Sequence, residues 1–235
     1  MAPALKKKPD LSRYLLNNGD HMSQTEFHRA YKNTPENFRA ELVGGIVFVA
    51  SPLKKGHGEN HLPLGSAFFA YETVTPGTVS GDNSTIMLGE HSEPQPDLYL
   101  RVEPEYGGQS IVTEDDYISG APELVAEIAL SSSAIDLNLK RQDYARHGVR
   151  EYMVLLPMEK EFRWFDLSRD RENALPIDSI CRSRAFPGLW IHVKALLEHK
   201  HKLLTRTIKR GLASPEHAAF VKKLEAAKRK RGREK

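Results

Sequence analysis

The stretch PELVAEIALSSSAIDLNLKRQDYARHGVREYMVLLP, Pro122 to Pro157, decides the class of fold. Its opening, ELVAEIAL, is a β-rich apolar run broken only by Glu127. Its middle, AIDLNLKRQDYARHG, sets Ile135, Leu139 and Tyr144 at helical intervals and stops at Gly148, a residue type that closes helices readily. REYMVLLP returns to an apolar strand, and KEFRWFDLS reads as a further strand across a short turn. Strand, helix, strand and strand in that order predict a mixed α/β domain.

Upstream, TVSGDNSTIML and PDLYLRV read as strands, and the long acidic piece between Val102 and Glu123 reads as a loop or flap. GHGENHLPLGSAFFAYETVTPG predicts one helix, with Pro63 in or near its first turn, where a missing N–H costs little. AELVGGIVFVAS predicts a hairpin about Gly44-Gly45. MSQTEFHRAYKN predicts a helix with Ser23 as N-cap, Glu26 completing a capping box, and Pro35 ending it. Downstream, FPGLWIHVKALLEHKHKLL predicts a strand and a helix. ASPEHAAFVKKLEAAKRKRG predicts a last helix, capped by Ser214 with Pro215 in its first position. The expected organisation is an N-terminal arm over 1–20, one domain over 21–200 and a basic helical extension over 201–235.

With 235 residues the chain can bury a substantial core. Its single cysteine, Cys181, excludes an intrachain disulfide and a cysteine-cluster zinc site, and suits a reducing cytoplasm. No run approaches the roughly 20 apolar residues of a membrane span. MAPALKKKPDLS has lysines without the apolar stretch of a secretory signal. The net charge of +3 is unevenly placed: the last fourteen residues carry eight Lys/Arg and two Glu, which leaves the other 221 at −3. Global charge therefore says little about nucleic acid, because the footprint must lie on the folded face that meets phosphate.

The acids that interrupt apolar strands carry the chemistry. In EPQPDLYL, Glu93 to Leu100, Asp97 stands at the mouth of a strand, and Glu127 interrupts the next one. On neighbouring strands their carboxylates would converge. With a backbone carbonyl such as that of Ile128 they offer the hard oxygens that Mg²⁺ prefers. Asp136, Lys140 and Tyr144 are spaced four apart and share one face of the following helix, which the short linker LSSSA lets fold back across the sheet end. Glu41 opens the hairpin and is a fourth group of interest. Plainer readings stand beside each: Asp97 capping a turn, Glu127 pairing a base at a strand edge, Asp136 and Lys140 forming a surface ion pair worth about a few tenths of a kcal/mol.

These blocks also carry a resemblance. AELVGGIVFVASP followed by His57, then PQPDLYL, then GAPELVAEIALSSSAIDLNLKRQDYARHGVREYMVL, resembles the Uma-two family of restriction-endonuclease-like proteins, within the PD-(D/E)XK nuclease superfamily. The likeness runs from about residue 22 to 167 and, more loosely, through RSRAFPGLWIHVKALL. It implies a restriction-endonuclease-like mixed β-sheet flanked by helices, here with an appended basic C-terminal helix. It implies a Mg²⁺-dependent endonuclease, with Mn²⁺ as a substitute ion and DNA as substrate. By the same likeness Asp97 and Glu127 bind the metal, with the Ile128 carbonyl as the further donor that coordination chemistry suggests, and Lys140 and Glu41 complete the catalytic set. The superfamily's lysine two places beyond the second acid is absent, since that place holds Ala129. Lys140 matches a basic residue moved to the following helix. Nuclease-fold proteins often act as dimers, so a homodimer is a further expectation. The alternative is a catalytically degenerate module that keeps the fold and binds nucleic acid or a protein.

Other signals point elsewhere. HGENH places His57 and His61 four apart, but Gly58 stands where a zinc protease needs glutamate. His57 matches a family histidine, and its plainer reading is a helix-start residue with a satisfied hydrogen bond. Ser131, Ser132 and Ser133 lack the glycine-flanked elbow of a hydrolase and read as capping or loop residues. Trp164, Phe165, Phe186 and Trp190 fit core packing, and GDNST lacks the spacing of a phosphate loop.

Overall fold

The runs Leu98–Val102, Leu124–Ile128 and Glu151–Leu156 are buried at every position, which requires packed layers on both faces of the sheet they form. The structure, a computed structural model, describes residues 16–130 and 132–233. Ser131 and the first fifteen residues of the expected arm lie outside the described residues. In chain order the elements are α1 (Gln24–Tyr31), β1 (Ala40–Val43), β2 (Ile46–Val49), α2 (Lys55–Glu72), β3 (Thr78–Asp82), β4 (Ile86–Met87), β5 (Leu98–Val102), β6 (Ile111–Val112), β7 (Ile118–Ser119) and β8 (Leu124–Ile128). A π-helical turn (Ile135–Lys140) then runs into α3 (Arg141–Arg146). After it come β9 (Glu151–Leu156), β10 (Glu161–Asp166), β11 (Arg171–Glu172), β12 (Ile180–Arg182), β13 (Trp190–His192), α4 (Val193–Leu197), α5 (His201–Leu212) and α6 (Pro215–Arg231).

The main sheet has six strands in the order β11-β10-β9-β8-β5-β3. Only β8 and β9 are parallel, with Glu127 opposite Val154, and the crossover such a pair needs is the π-helical turn with α3. Antiparallel pairing sets Leu98 of β5 opposite Ala126 of β8. Because side chains alternate along a strand, the sheet has two distinct faces. Leu98, Leu100, Leu124, Ala126 and Met153 pack with Leu64, Phe68 and Tyr71 of α2. Tyr99, Val125, Tyr152 and Val154 pack with Tyr144 of α3 and with Ile86 and Ile118 of a small β4-β7-β6 sheet. Each fully buried side chain such as Phe68 or Leu100 contributes about 1.5–3 kcal/mol. A third small core joins Phe27 of α1 to Ala40, Leu42 and Val47 of the β1–β2 hairpin.

Several local expectations are met for the reasons given. Ser23 and Glu26 form the reciprocal capping box of α1. Gly44 and Gly45 both take positive φ, +58° and +82°, as a two-residue hairpin turn of this hand requires. Trp164, Phe165 and Phe186 are buried, while Trp190 is half-buried and lies 4.8 Å from the Arg182 guanidinium.

Others are corrected. Pro63 sits in the middle of the 18-residue α2, not in its first turn, and α2 ends at Glu72. The lost bond to the Glu59 carbonyl is outweighed by the burial of Leu64, Ala67, Phe68 and Tyr71 in the same helix. TVSGDNSTIML breaks at Asn83, φ +47°, so β3 joins the main sheet and β4 leaves it. The flap region holds β6 and β7 and is anchored by Glu123, whose carboxylate accepts the Val102 N–H at 2.7 Å and the Gln109 N–H at 3.3 Å. The helix after β8 buries Asp136, Lys140, Asp143 and Tyr144, whereas Ile135 and Leu139 are only half-buried. The C-terminal run expected as one helix is two, α4 and α5, separated at His199 with φ +52°. Within 201–235, Leu204, Ile208 and Leu224 enter the α2-side core. Among the described residues no helix is long and apolar enough to cross a membrane.

Candidate active site

Asp97 is held by two elements at once, β8 and α2. It follows Pro96 directly, and its own N–H reaches Glu127 Oε2 at 3.2 Å across the sheet. Its Oδ2 accepts the Ile128 N–H at 2.7 Å, and its Oδ1 lies 3.0 Å from His57 Nε2 on α2. One turn further along α2, His61 Nε2 lies 2.9 Å from the Asp97 carbonyl oxygen. The i, i+4 histidine pair thus serves Asp97, which accounts for HGENH without zinc. Burial alone would push the Asp97 carboxyl up. The hydrogen bond and charge of His57, the Ile128 N–H and the charge of Lys140 outweigh it and hold the group below the usual aspartate value. The same bond to Asp97 raises the His57 imidazole above its ordinary value against the effect of burial.

Glu127 projects from β8 onto the α3 side of the sheet and is 3% exposed. Its Oε1 accepts from Lys140 Nζ at 3.0 Å and from the Tyr144 hydroxyl at 2.9 Å. Lys140 Nζ also lies 2.8 Å from Glu41 Oε1 and 3.6 Å from Asp136 Oδ1. The outer acids are themselves fixed: Gln95 N–H donates to Glu41 Oε2 at 3.2 Å, and the Ser132 hydroxyl donates to Asp136 Oδ2. Burial pushes Glu127 well up. Lys140 opposes this, while Asp97, Asp136 and Glu41 reinforce it. Asp136 is raised by burial in the same way. For Lys140, burial would lower the value, but Glu127, Glu41 and Asp136 together carry it well above that of a free lysine, so the ammonium persists.

All four expected side chains, Asp97, Glu127, Lys140 and Glu41, therefore meet at one end of the β5–β8 pair, with Asp136, His57 and Tyr144 around them. Ile128 meets Asp97 through its N–H. Ala129 is buried on the face that bears Val125 and Tyr144, the face from which Lys140 reaches Glu127 Oε1 at 3.0 Å. The spacing of Asp136, Lys140 and Tyr144 signalled this convergence. The contacts of His57 and His61 with Asp97 join segments 40 and 36 residues apart, which short spacing does not encode, whereas Ser132 reaches Asp136 only four residues on. Two open clefts, of about 390 and 250 Å³, are lined by none of these side chains. Access to the cluster lies past Asp97 and Glu41, its most exposed acids at 15% and 18% of the side chain.

The donor chemistry suits a hard divalent ion. Four carboxylates, Asp97, Glu127, Asp136 and Glu41, face one ammonium and one imidazole. Fully ionised, the cluster is net negative even with His57 protonated. Among the described residues no three Asp, Glu, His or Cys side chains form a ready coordination cage, since Lys140 Nζ stands where Glu41, Glu127 and Asp136 converge. The oxygen-only donor pair Asp97 and Glu127 fits the preference of Mg²⁺ for one or two carboxylates with retained waters.

Over residues 24–194 the chain matches the family described as "Uma2: Putative restriction endonuclease". No curated protein sequence matches it. Among solved structures it is similar to "a putative nuclease belonging to DUF820" from Anabaena variabilis, with a TM-score of 0.58 and 14% sequence identity, covering 72% of this chain and 96% of that one. At that identity the likeness is one of fold.

Proposed function

The chain belongs to the Uma2 family of putative restriction endonucleases, and from that premise we propose that it is a metal-dependent endonuclease hydrolysing phosphodiester bonds of DNA. Asp97 and Glu127, with the Ile128 carbonyl, would hold Mg²⁺ or Mn²⁺, and Glu41 would support the ion or its water. Bound there, the ion lowers the pKa of a water and neutralises charge on a phosphoryl oxygen. His57 keeps Asp97 ionised and oriented. Tyr144 fixes the Glu127 carboxylate. Lys140 orients the attacking water and offsets the negative charge that develops in the transition state, a role that needs a preset, desolvated cation.

The observation that carries this reading is the Lys140 ammonium, 3.0 Å from Glu127 and 2.8 Å from Glu41, two acids far apart in sequence. Purified protein supplied with Mg²⁺ or Mn²⁺ is expected to nick supercoiled plasmid, and Asp97→Ala to lose that activity. Equal nicking by both would overturn the assignment.

One feature favours the degenerate-module alternative: Lys140 already neutralises part of the acidic cluster without a metal. Calorimetric titration separates the two. An endonuclease site takes up Mn²⁺ in a manner lost on Asp97→Asn, and a degenerate module shows no such difference.

A further inference from the structure

The described residues 201–233, which lie beyond the family match, carry eleven lysines and arginines against Glu216 and Glu225 alone. This leaves the remainder of the chain at −6. On α6, Lys222, Lys223, Arg229, Lys230 and Arg231 are exposed, and none forms an ion pair among the described residues. Lys228 donates to the Tyr106 hydroxyl at 2.9 Å, with Glu103 and Glu105 nearby. Lys228, Arg229, Lys230 and Arg231 lie in the last turn of α6, where cations favour the helix dipole, but Lys222 and Lys223 lie about two turns earlier and gain nothing from it.

The positive surface continues off the helix. A cleft of about 250 Å³ separates α6 from the end of the sheet, where Lys223 and Phe220 face Arg150, Arg169 and Arg184. Its two acids are committed. Asp166 pairs with Arg184 at 3.2 Å and Arg169 at 3.6 Å. Glu151 is buried and accepts from the Ser183 hydroxyl, the Trp164 indole at 2.5 Å and the Arg184 and Ala185 N–H groups. The cleft therefore retains a surplus of cationic donors sized for phosphate oxygens.

Its location is distinct from that of the carboxylates. α6 packs on residues just past the end of β5, whereas Asp97 precedes the start of that strand. Five residues of extended chain put about 16 Å between the two ends.

We propose that α6 and this cleft form a docking surface for the phosphodiester backbone of a nucleic acid, separate from the carboxylate cluster and independent of its metal. A membrane surface is disfavoured by the helix itself. An interfacial helix needs an exposed apolar face, and among the described residues none of the exposed large apolar side chains lies on α5 or α6.

The test is fluorescence anisotropy of a labelled duplex of about 20 base pairs in EDTA, comparing the full chain with a variant carrying Lys222→Gln, Lys223→Gln, Arg229→Gln, Lys230→Gln and Arg231→Gln. Five phosphate contacts give a log–log salt slope of about −4.5, or roughly a 500-fold loss of affinity between about 50 and 200 mM salt. The full chain should show at least that dependence, and the variant should lose it together with most of its affinity, at an unchanged melting temperature. In nicking assays the variant should show a raised KM and an unchanged kcat. Unaltered binding by the variant overturns the proposal. So does charge-dependent binding to phosphatidylserine vesicles without binding to the duplex, or a low-salt self-association that the substitutions abolish. Because no cleavage is read in EDTA, failure here is distinguishable from failure of the nuclease reading.

Discussion

Replacing Lys140 with methionine keeps the length of the side chain and removes its charge, and the structure allows the consequence to be sized. Lys140 is 6% exposed and lies within 3.6 Å of Glu41, Glu127 and Asp136. Removing one partner of a buried ion pair leaves the other charge uncompensated and typically costs about 3–5 kcal/mol. For a chain of this size that is a fall in Tm of about 6–20 °C. The loss should depend on pH in a definite direction. Glu127 and Asp136 already sit above their ordinary values through burial, and without Lys140 they rise further. A carboxyl raised in the folded state binds protons more tightly there than in the unfolded chain, so stability falls as pH climbs from the ordinary carboxylate range through the raised values. Lys140 itself, raised above the usual lysine value, stays protonated throughout neutral and acidic pH, so the pH dependence comes from its carboxylate partners. Thermal or urea melts at pH 8 and pH 5 should therefore show a large deficit for Lys140→Met at the higher pH and a smaller one at the lower. An equal deficit at both, or one below about 1 kcal/mol against the range for a buried pair, would refute the reasoning.

Further outcomes follow from neighbouring contacts. Tyr144→Phe deletes a 2.9 Å bond to Glu127, and urea titration should find it less stable by about 1.5–3 kcal/mol, the range for a hydrogen bond to a charged group. The His57 imidazole should titrate above the ordinary histidine value by NMR and fall back on Asp97→Asn. Its ion pair with Asp97 stabilises fully below the unfolded value and is lost as pH rises through the raised one, so a His57→Gln variant should lose more stability at pH 5.5 than at pH 8. Ala129→Lys combined with Lys140→Ala moves the ammonium to two places beyond Glu127 on the same buried face, and should recover measurable nicking that Lys140→Ala alone lacks.

Much of this arrangement was legible in the chain because local rules and function agree there. The capping box at Ser23, the Gly44-Gly45 turn and the buried apolar strands follow from short-range chemistry. The four-residue spacing of Asp136, Lys140 and Tyr144 placed them on one face despite the π-helical turn. What stayed hidden depends on tertiary packing. Pro63 argues locally against a helix interior, and only the burial of the α2 face overrides it. The helix after β8 turns a polar face toward the sheet, the reverse of the usual apolar stripe, because that face completes the carboxylate cluster. Glu123 and Glu151 look like ordinary strand-end acids, yet each is buried to bind N–H groups from segments remote in sequence. A likeness of blocks could name Asp97 and Glu127. It also matched His57, but it could not supply His61 or show that both histidines of α2 hold Asp97 from the far side.

The most direct measurement is an anomalous difference map from crystals of the protein soaked in Mn²⁺. The account predicts a single strong peak bounded by the Asp97 and Glu127 carboxylates and the Ile128 carbonyl, at the short distances of about 2.0–2.3 Å that hard divalent ions adopt with oxygen. A map with no peak there, or a peak only at remote surface carboxylates while Lys140 still bridges Glu41 and Glu127, would contradict it.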